Sequence, residues 1–67
     1  MRINTVYEAR TYPAVGYMWK VQIRYHWLGF WKDIADTHGR TRIMTQSQAS
    51  DLVRKLVREG IKQGPKL

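Results

Sequence analysis

Residues 17–28 read Tyr-Met-Trp-Lys-Val-Gln-Ile-Arg-Tyr-His-Trp-Leu. The odd positions Tyr17, Trp19, Val21, Ile23, Tyr25 and Trp27 are all apolar or aromatic. The even positions Lys20, Gln22, Arg24 and His26 are all polar or basic. Successive side chains of a strand point to opposite faces, so this stretch predicts a strand with one dry face and one wet, basic face.

Weaker alternation over residues 3–11 predicts a strand before it, with Ile3, Thr5, Tyr7 and Ala9 on one face. Arg2, Asn4, Val6, Glu8 and Arg10 share the other. The break between the two strands lies at Tyr12-Pro13-Ala14-Val15-Gly16, with Pro13 suited to position i+1 of a turn. A third strand is expected over residues 30–37. A tight turn at Leu28-Gly29 would set Trp27 opposite Phe30, Ile23 opposite Ile34, Arg24 opposite Asp33 and His26 opposite Trp31. A one-residue slip would bury Asp33 beside Ile23, so the apolar pattern selects this parity. His38-Gly39 is the next turn, and residues 40–44 form a short fourth strand with Ile43 opposite Ile34. Arg40, Arg42 and Met44 then fall on the outer face. Asp36, near the strand end, is expected to reach solvent or cap the turn.

Thr45 followed by Gln48 is a capping box, the signature of a helix start. Ala49, Leu52, Val53, Leu56 and Val57 follow at the spacing of one helical face. Asp51 is placed to pair with Lys55. Gly60 marks the helix stop, with Ile61 able to fold back as in a Schellman cap.

The expected fold is therefore α+β. An antiparallel meander of three to four strands is packed on one face by a single C-terminal helix, in the order ββββα. Residues 1–61 form the single domain and 62–67 a flexible basic tail. At 67 residues the chain buries only about 60% of the surface it exposes when unfolded. With no cysteines there is no disulfide to hold it. Three Trp, four Tyr and one Phe supply large buried area per residue ordered instead. Tyr17, Trp19, Tyr25 and Trp27 are read as core. An aromatic edge left uncovered by the helix would suit a protein interface or a homodimer.

Charge adds a function class. Lys and Arg total 12 against 5 Asp and Glu, a formal net charge of +7, which favours a polyanionic partner. The uncovered sheet face is expected to gather Lys20, Arg24, His26, Trp31, Arg40 and Arg42, joined by Arg2 and Arg10. Basic groups beside an aromatic can track phosphates and stack a base. These six residues are the candidate nucleic-acid site, with DNA ranked ahead of RNA. The competing reading is a solvated face on which Arg24 pairs with Asp33 and nothing binds. The helix cations Arg54, Lys55 and Arg58 are read as its solvated side. In architecture alone, a small basic sheet with one C-terminal helix is similar to the arm-type DNA-binding domains of phage integrases. That resemblance implies a sheet laid in the major groove.

No catalytic, metal or cofactor site is expected. His26 and His38 lack a ligand at suitable spacing. Ser47 and Ser50 are explained by the helix start, and the carboxylates are dispersed. No apolar run approaches the roughly 20 residues of a membrane span, and Met1-Arg2-Ile3-Asn4 lacks a leader pattern. The expectation is a cytoplasmic, non-enzymatic nucleic-acid-binding module without membrane attachment. The alternative is a small phage-type regulator or inhibitor that binds a protein partner.

Overall fold

The computed structural model describes residues 6–65. The expected pairings of Arg2, Ile3, Asn4 and Thr5, and the end of the tail at Lys66 and Leu67, lie outside them. The chain is an α+β fold: a four-stranded mixed sheet with one helix on a single face. The strands are β1 (Glu8–Pro13), β2 (Trp19–Arg24), β3 (Lys32–Asp33) and β4 (Lys62–Gln63). The helix α1 spans Gln46–Arg58. The sheet order is β3-β2-β1-β4, with β4 parallel to β1 and the other pairings antiparallel.

The odd residues of β2 do face the helix. Val21 is fully buried and packs with Met44, Ala49 and Val53, and Trp19, Ile23, Ile34, Leu52 and Val57 close around them. In β1, Ala9 and Thr11 share this face opposite Ile23 and Val21, while Glu8, Arg10 and Tyr12 share the other with Arg24, Gln22 and Lys20. Pro13 is not in the turn. It ends β1 opposite Trp19, and the turn follows it, with Ala14 N–H donating to the Met18 carbonyl at 3.0 Å and Gly16 at φ 58°. Residue 14 bonds toward β2, so the alternating ladder directs residue 13 to the free side of the strand. A missing N–H there removes no ladder bond.

Two registers differ from expectation. β2 ends at Arg24, and Gln22 pairs with Asp33, a shift of two residues. An even shift keeps every face assignment inside the strands. It lengthens the connection, however, and residues 25–31 leave the sheet through a turn closed by Gly29 N–H on the His26 carbonyl at 2.8 Å. Trp27 and Phe30, expected as a core pair, are 59% and 89% exposed. Tyr17 and Tyr25 are exposed too, so Trp19 alone of the four expected core aromatics packs on the core. A helix of 13 residues spans only about 20 Å, roughly half the length of an extended 17–28 stretch, so it leaves Tyr17, Tyr25 and Trp27 uncovered.

The expected fourth strand over 40–44 is reduced to two isolated bridges, Ala35 with Thr41 and Trp19 with Met44. The first differs by one residue from the register the apolar pattern suggested, and an odd shift exchanges faces. Met44 is buried and Ile43 is 42% exposed. Trp19 and Met44 exchange backbone bonds of 2.7 and 2.8 Å, which draws Met44 back to the start of β2 and into the core. Asp36 caps the intervening turn, its Oδ1 accepting from His38 N–H at 2.8 Å and Arg40 N–H at 3.1 Å.

The helix begins as its sequence predicts. Thr45 Oγ1 accepts from Gln48 N–H at 3.2 Å, and Gln48 Oε1 accepts from Thr45 N–H at 3.1 Å. It ends in a Schellman motif, with Gly60 at φ 102°, Ile61 N–H donating to the Leu56 carbonyl and Gly60 N–H to that of Val57. Asp51 pairs with Arg54 rather than Lys55. Beyond the cap the chain does not run free as a tail. Lys62 N–H donates to the Tyr7 carbonyl at 3.1 Å and Gly64 N–H to that of Ala9 at 2.7 Å, which adds β4 to the outer edge of β1.

Candidate functional site

The sheet face turned away from the helix carries Glu8, Arg10, Tyr12, Lys20, Gln22, Arg24, Trp31 and Asp33. Trp31 immediately precedes β3, and its ring lies back over the neighbouring strands. The Arg24 guanidinium carbon is 4.8 Å from the ring centre and that of Arg10 is 4.0 Å. Arg24 belongs to β2 and Arg10 to β1, so one indole spans two strands. It extends to the C-terminal segment as well: a Cβ placed on the buried Gly64 would stand 3.1 Å from Trp31 Cη2 and 3.0 Å from Arg10 Cβ. Trp31 thus covers part of the face that has no second layer. Each cation–π contact contributes about 0.5–2 kcal/mol.

The charges under and around the ring are matched within the face. Arg24 donates from Nε and Nη2 to Glu8 Oε1, the former at 2.8 Å, and the Glu8 side chain is only 5% exposed. Arg10 Nε donates to Gln22 Oε1 at 2.9 Å, and Gln22 Nε2 donates in turn to Asp33 Oδ1 at 3.0 Å. Lys20 Nζ and Thr41 Oγ1 both donate to Asp33 Oδ2, at 3.1 and 3.0 Å. Among the described residues no buried side-chain N or O atom lacks a partner. Partial burial alone would raise the pKa of Asp33. Hydrogen bonds from Gln22, Lys20 and Thr41, with the charge of Lys20, outweigh it and hold the carboxyl below its ordinary value.

Of the six residues singled out from the sequence, the structure brings three together on this face: Lys20, Arg24 and Trp31. Arg24 pairs with Glu8 rather than Asp33, and Lys20 takes Asp33 instead. His26 is not on the face. It sits exposed in the 25–31 connection, its ring 5.9 Å from that of Trp27 at 27°, with Nδ1 accepting from Leu28 N–H. Arg40 and Arg42 are not there either. The bridge of Ala35 with Thr41 turns Thr41 toward Asp33 and assigns both arginines to the opposite side, where they are exposed. Glu8, Arg10, Tyr12, Gln22 and Asp33 complete the face. The alternation of β1 already marked Arg10 and Glu8 as sharing it, and only the observed pairing shows that Glu8 neutralises Arg24.

A second group of side chains was missed. The 25–31 connection exposes Tyr25 (43%), Trp27, Leu28 (69%) and Phe30, and Lys32 at its end places Nζ 5.8 Å from the Tyr25 ring. The signal available was Leu28 at a tight-turn position it fits poorly, which argues for a longer connection. Among the described residues no group of three His, Cys, Asp or Glu could hold a metal ion. No helix among them is long and apolar enough to cross a membrane. No family model, curated protein or solved structure matches the chain.

Proposed function

We propose that this protein is a small, non-enzymatic nucleic-acid-binding module. The observation that supports it is the distribution of charge. Glu8, Asp33 and Asp51 are each engaged by a cation of the chain, Arg24, Lys20 and Arg54 respectively. Asp36 is turned inward on its own backbone. Lys32, Arg40, Arg42, Lys55, Arg58 and Lys62 are exposed and make no ion pair among the described residues. An excess of unpaired surface cations in a chain of net charge +7 draws a polyanion and releases its condensed counterions on binding.

This reading moves the phosphate contacts off the paired sheet face. Lys20 and Arg24 hold that face together, and Arg40, Arg42 and Lys32 are among the cations open to phosphate. DNA remains ranked ahead of RNA, and a cytoplasmic setting goes with such a partner. A gel-shift panel of duplex DNA, single-stranded DNA and RNA at two salt concentrations tests it. Shifts at low salt that vanish at the higher salt support the proposal, and no shift with any of the three at low salt overturns it.

A second reading, a protein-binding regulator or inhibitor of phage type, is favoured by the exposed apolar residues of the 25–31 connection. It expects a discrete complex with little salt sensitivity. Charge reversal by Arg40→Glu with Arg42→Glu separates the two, because it weakens nucleic-acid binding in the first and leaves complex formation intact in the second unless the partner is acidic.

A further inference from the structure

We infer that the 25–31 connection is a stacking site for unpaired bases, so that the nucleic acid bound is single-stranded. The inference rests on the nucleic-acid reading and adds to it the form of the ligand and the residues that meet the bases. Trp27 and Phe30 are 59% and 89% exposed, and nothing in the fold requires two large rings in water at that place. His26 already stacks on Trp27, and the indole remains largely exposed. Lys32 and Tyr25 stand at the end of the same connection.

The connection is ordered by its own bonds. Gly29 N–H donates to the His26 carbonyl at 2.8 Å, and Leu28 N–H to His26 Nδ1 at 3.1 Å. A Cβ at Gly29 would stand 3.1 Å from that carbonyl oxygen, a tight contact that glycine avoids. A platform already held in shape loses less entropy when a ligand settles on it.

One consideration selects single strands, and the charge and the state of Trp31 fit the same site. The π faces of duplex bases are covered by their neighbours in the stack, whereas unpaired bases offer them to protein aromatics. The net charge of +7 suits a phosphate backbone beside those bases. Trp31, at the end of the connection, is half-buried and engaged by Arg10 and Arg24, so Trp27 and Phe30 are the rings more open to a base.

The test uses the full chain with a 12-nucleotide oligothymidylate, the matching duplex and vesicles rich in phosphatidylserine. The variants are Trp27→Ala and Phe30→Ala, whose exposure leaves the fold intact. About tenfold weaker binding of the single strand for each variant, with duplex affinity changed less than about twofold, is the expected result. Equal binding of single strand and duplex, unaffected by either variant, overturns the stacking site and leaves the nucleic-acid reading standing. Absence of binding to both forms at low salt removes that reading and the stacking site with it. Vesicle binding that is lost in both variants, without single-strand binding, also overturns it and assigns the loop to a membrane surface.

Discussion

The Arg10 guanidinium carbon lies 4.0 Å from the centre of the Trp31 ring, although Trp31 immediately precedes β3 and β3 is separated from β1, the strand of Arg10, by β2. A side chain that crosses a whole strand to reach its partner does the work of a covering layer. Trp31→Ala is therefore expected to lower stability by about 2–4 kcal/mol, toward the low end of buried Trp truncations because the ring is half-buried. Urea unfolding followed by circular dichroism measures this directly. Trp31→Phe should recover part of the loss by restoring a smaller ring.

Gly64 is the floor under that ring. A Cβ there meets Arg10 Cβ at 3.0 Å, Glu8 Oε2 at 3.1 Å and Trp31 Cη2 at 3.1 Å. Gly64→Ala is expected to cost about 1–3 kcal/mol through overpacking, and Gly64→Val more. The requirement is steric rather than conformational, since Gly64 is not among the glycines with positive φ. Thermal unfolding of the two variants ranks them.

The Glu8–Arg24 pair contributes in an asymmetric way. Removing Glu8 alone leaves the Arg24 guanidinium, 23% exposed, without its counter-charge but still in reach of water, so Glu8→Ala should destabilise by about 1–3 kcal/mol. Replacing both, Glu8→Leu with Arg24→Met, should cost less than the single change, because no unpaired charge remains. A double-mutant cycle in urea gives the coupling.

Asp33 supplies a pH dependence of defined sign. Its carboxyl is held below the ordinary value in the folded protein. The stabilisation it gives is complete above its unfolded value of about 4 and is lost as pH falls through the lower folded value. The wild-type protein should lose stability progressively below about pH 4. Asp33→Asn should be less stable at neutral pH and flatter across that acid range. Unfolding midpoints at stepped pH for both proteins show whether the slopes differ.

What could be read from the chain depended on how local the determinant was. Thr45 and Gln48 are three residues apart, and the cap they form is as expected. The odd set of β2 meets the helix through Val21, as alternation requires. The registers depend on turn lengths, which apolar pattern leaves open whenever a shift of two preserves every face. That is why Trp27 and Phe30, read as a core pair, lie instead in the 25–31 connection. The excursion from Ile34 to Met44 shifted by one because Met44 is tied to Trp19 by two backbone bonds, a contact between distant positions. Its consequence for the candidate site was large, since Arg40 and Arg42 changed faces. β4 gave no signal at all: Lys62 and Gln63 are polar and join an edge by backbone alone. The pairing of Glu8 with Arg24 was likewise invisible, because Glu8 stood in a strand whose register had no tight turn to set it.

The affinity of the full chain for a single-stranded oligonucleotide, measured from about 50 to about 200 mM salt, tests the central claim most directly. Binding should be present at the low end, with the logarithm of affinity falling linearly against the logarithm of salt. In Arg40→Glu with Arg42→Glu the line should be shallower by about 1.4 or more, from the loss of two phosphate contacts. No binding at the lowest salt, or an affinity that salt does not change, would contradict the claim that this surface meets a polyanion.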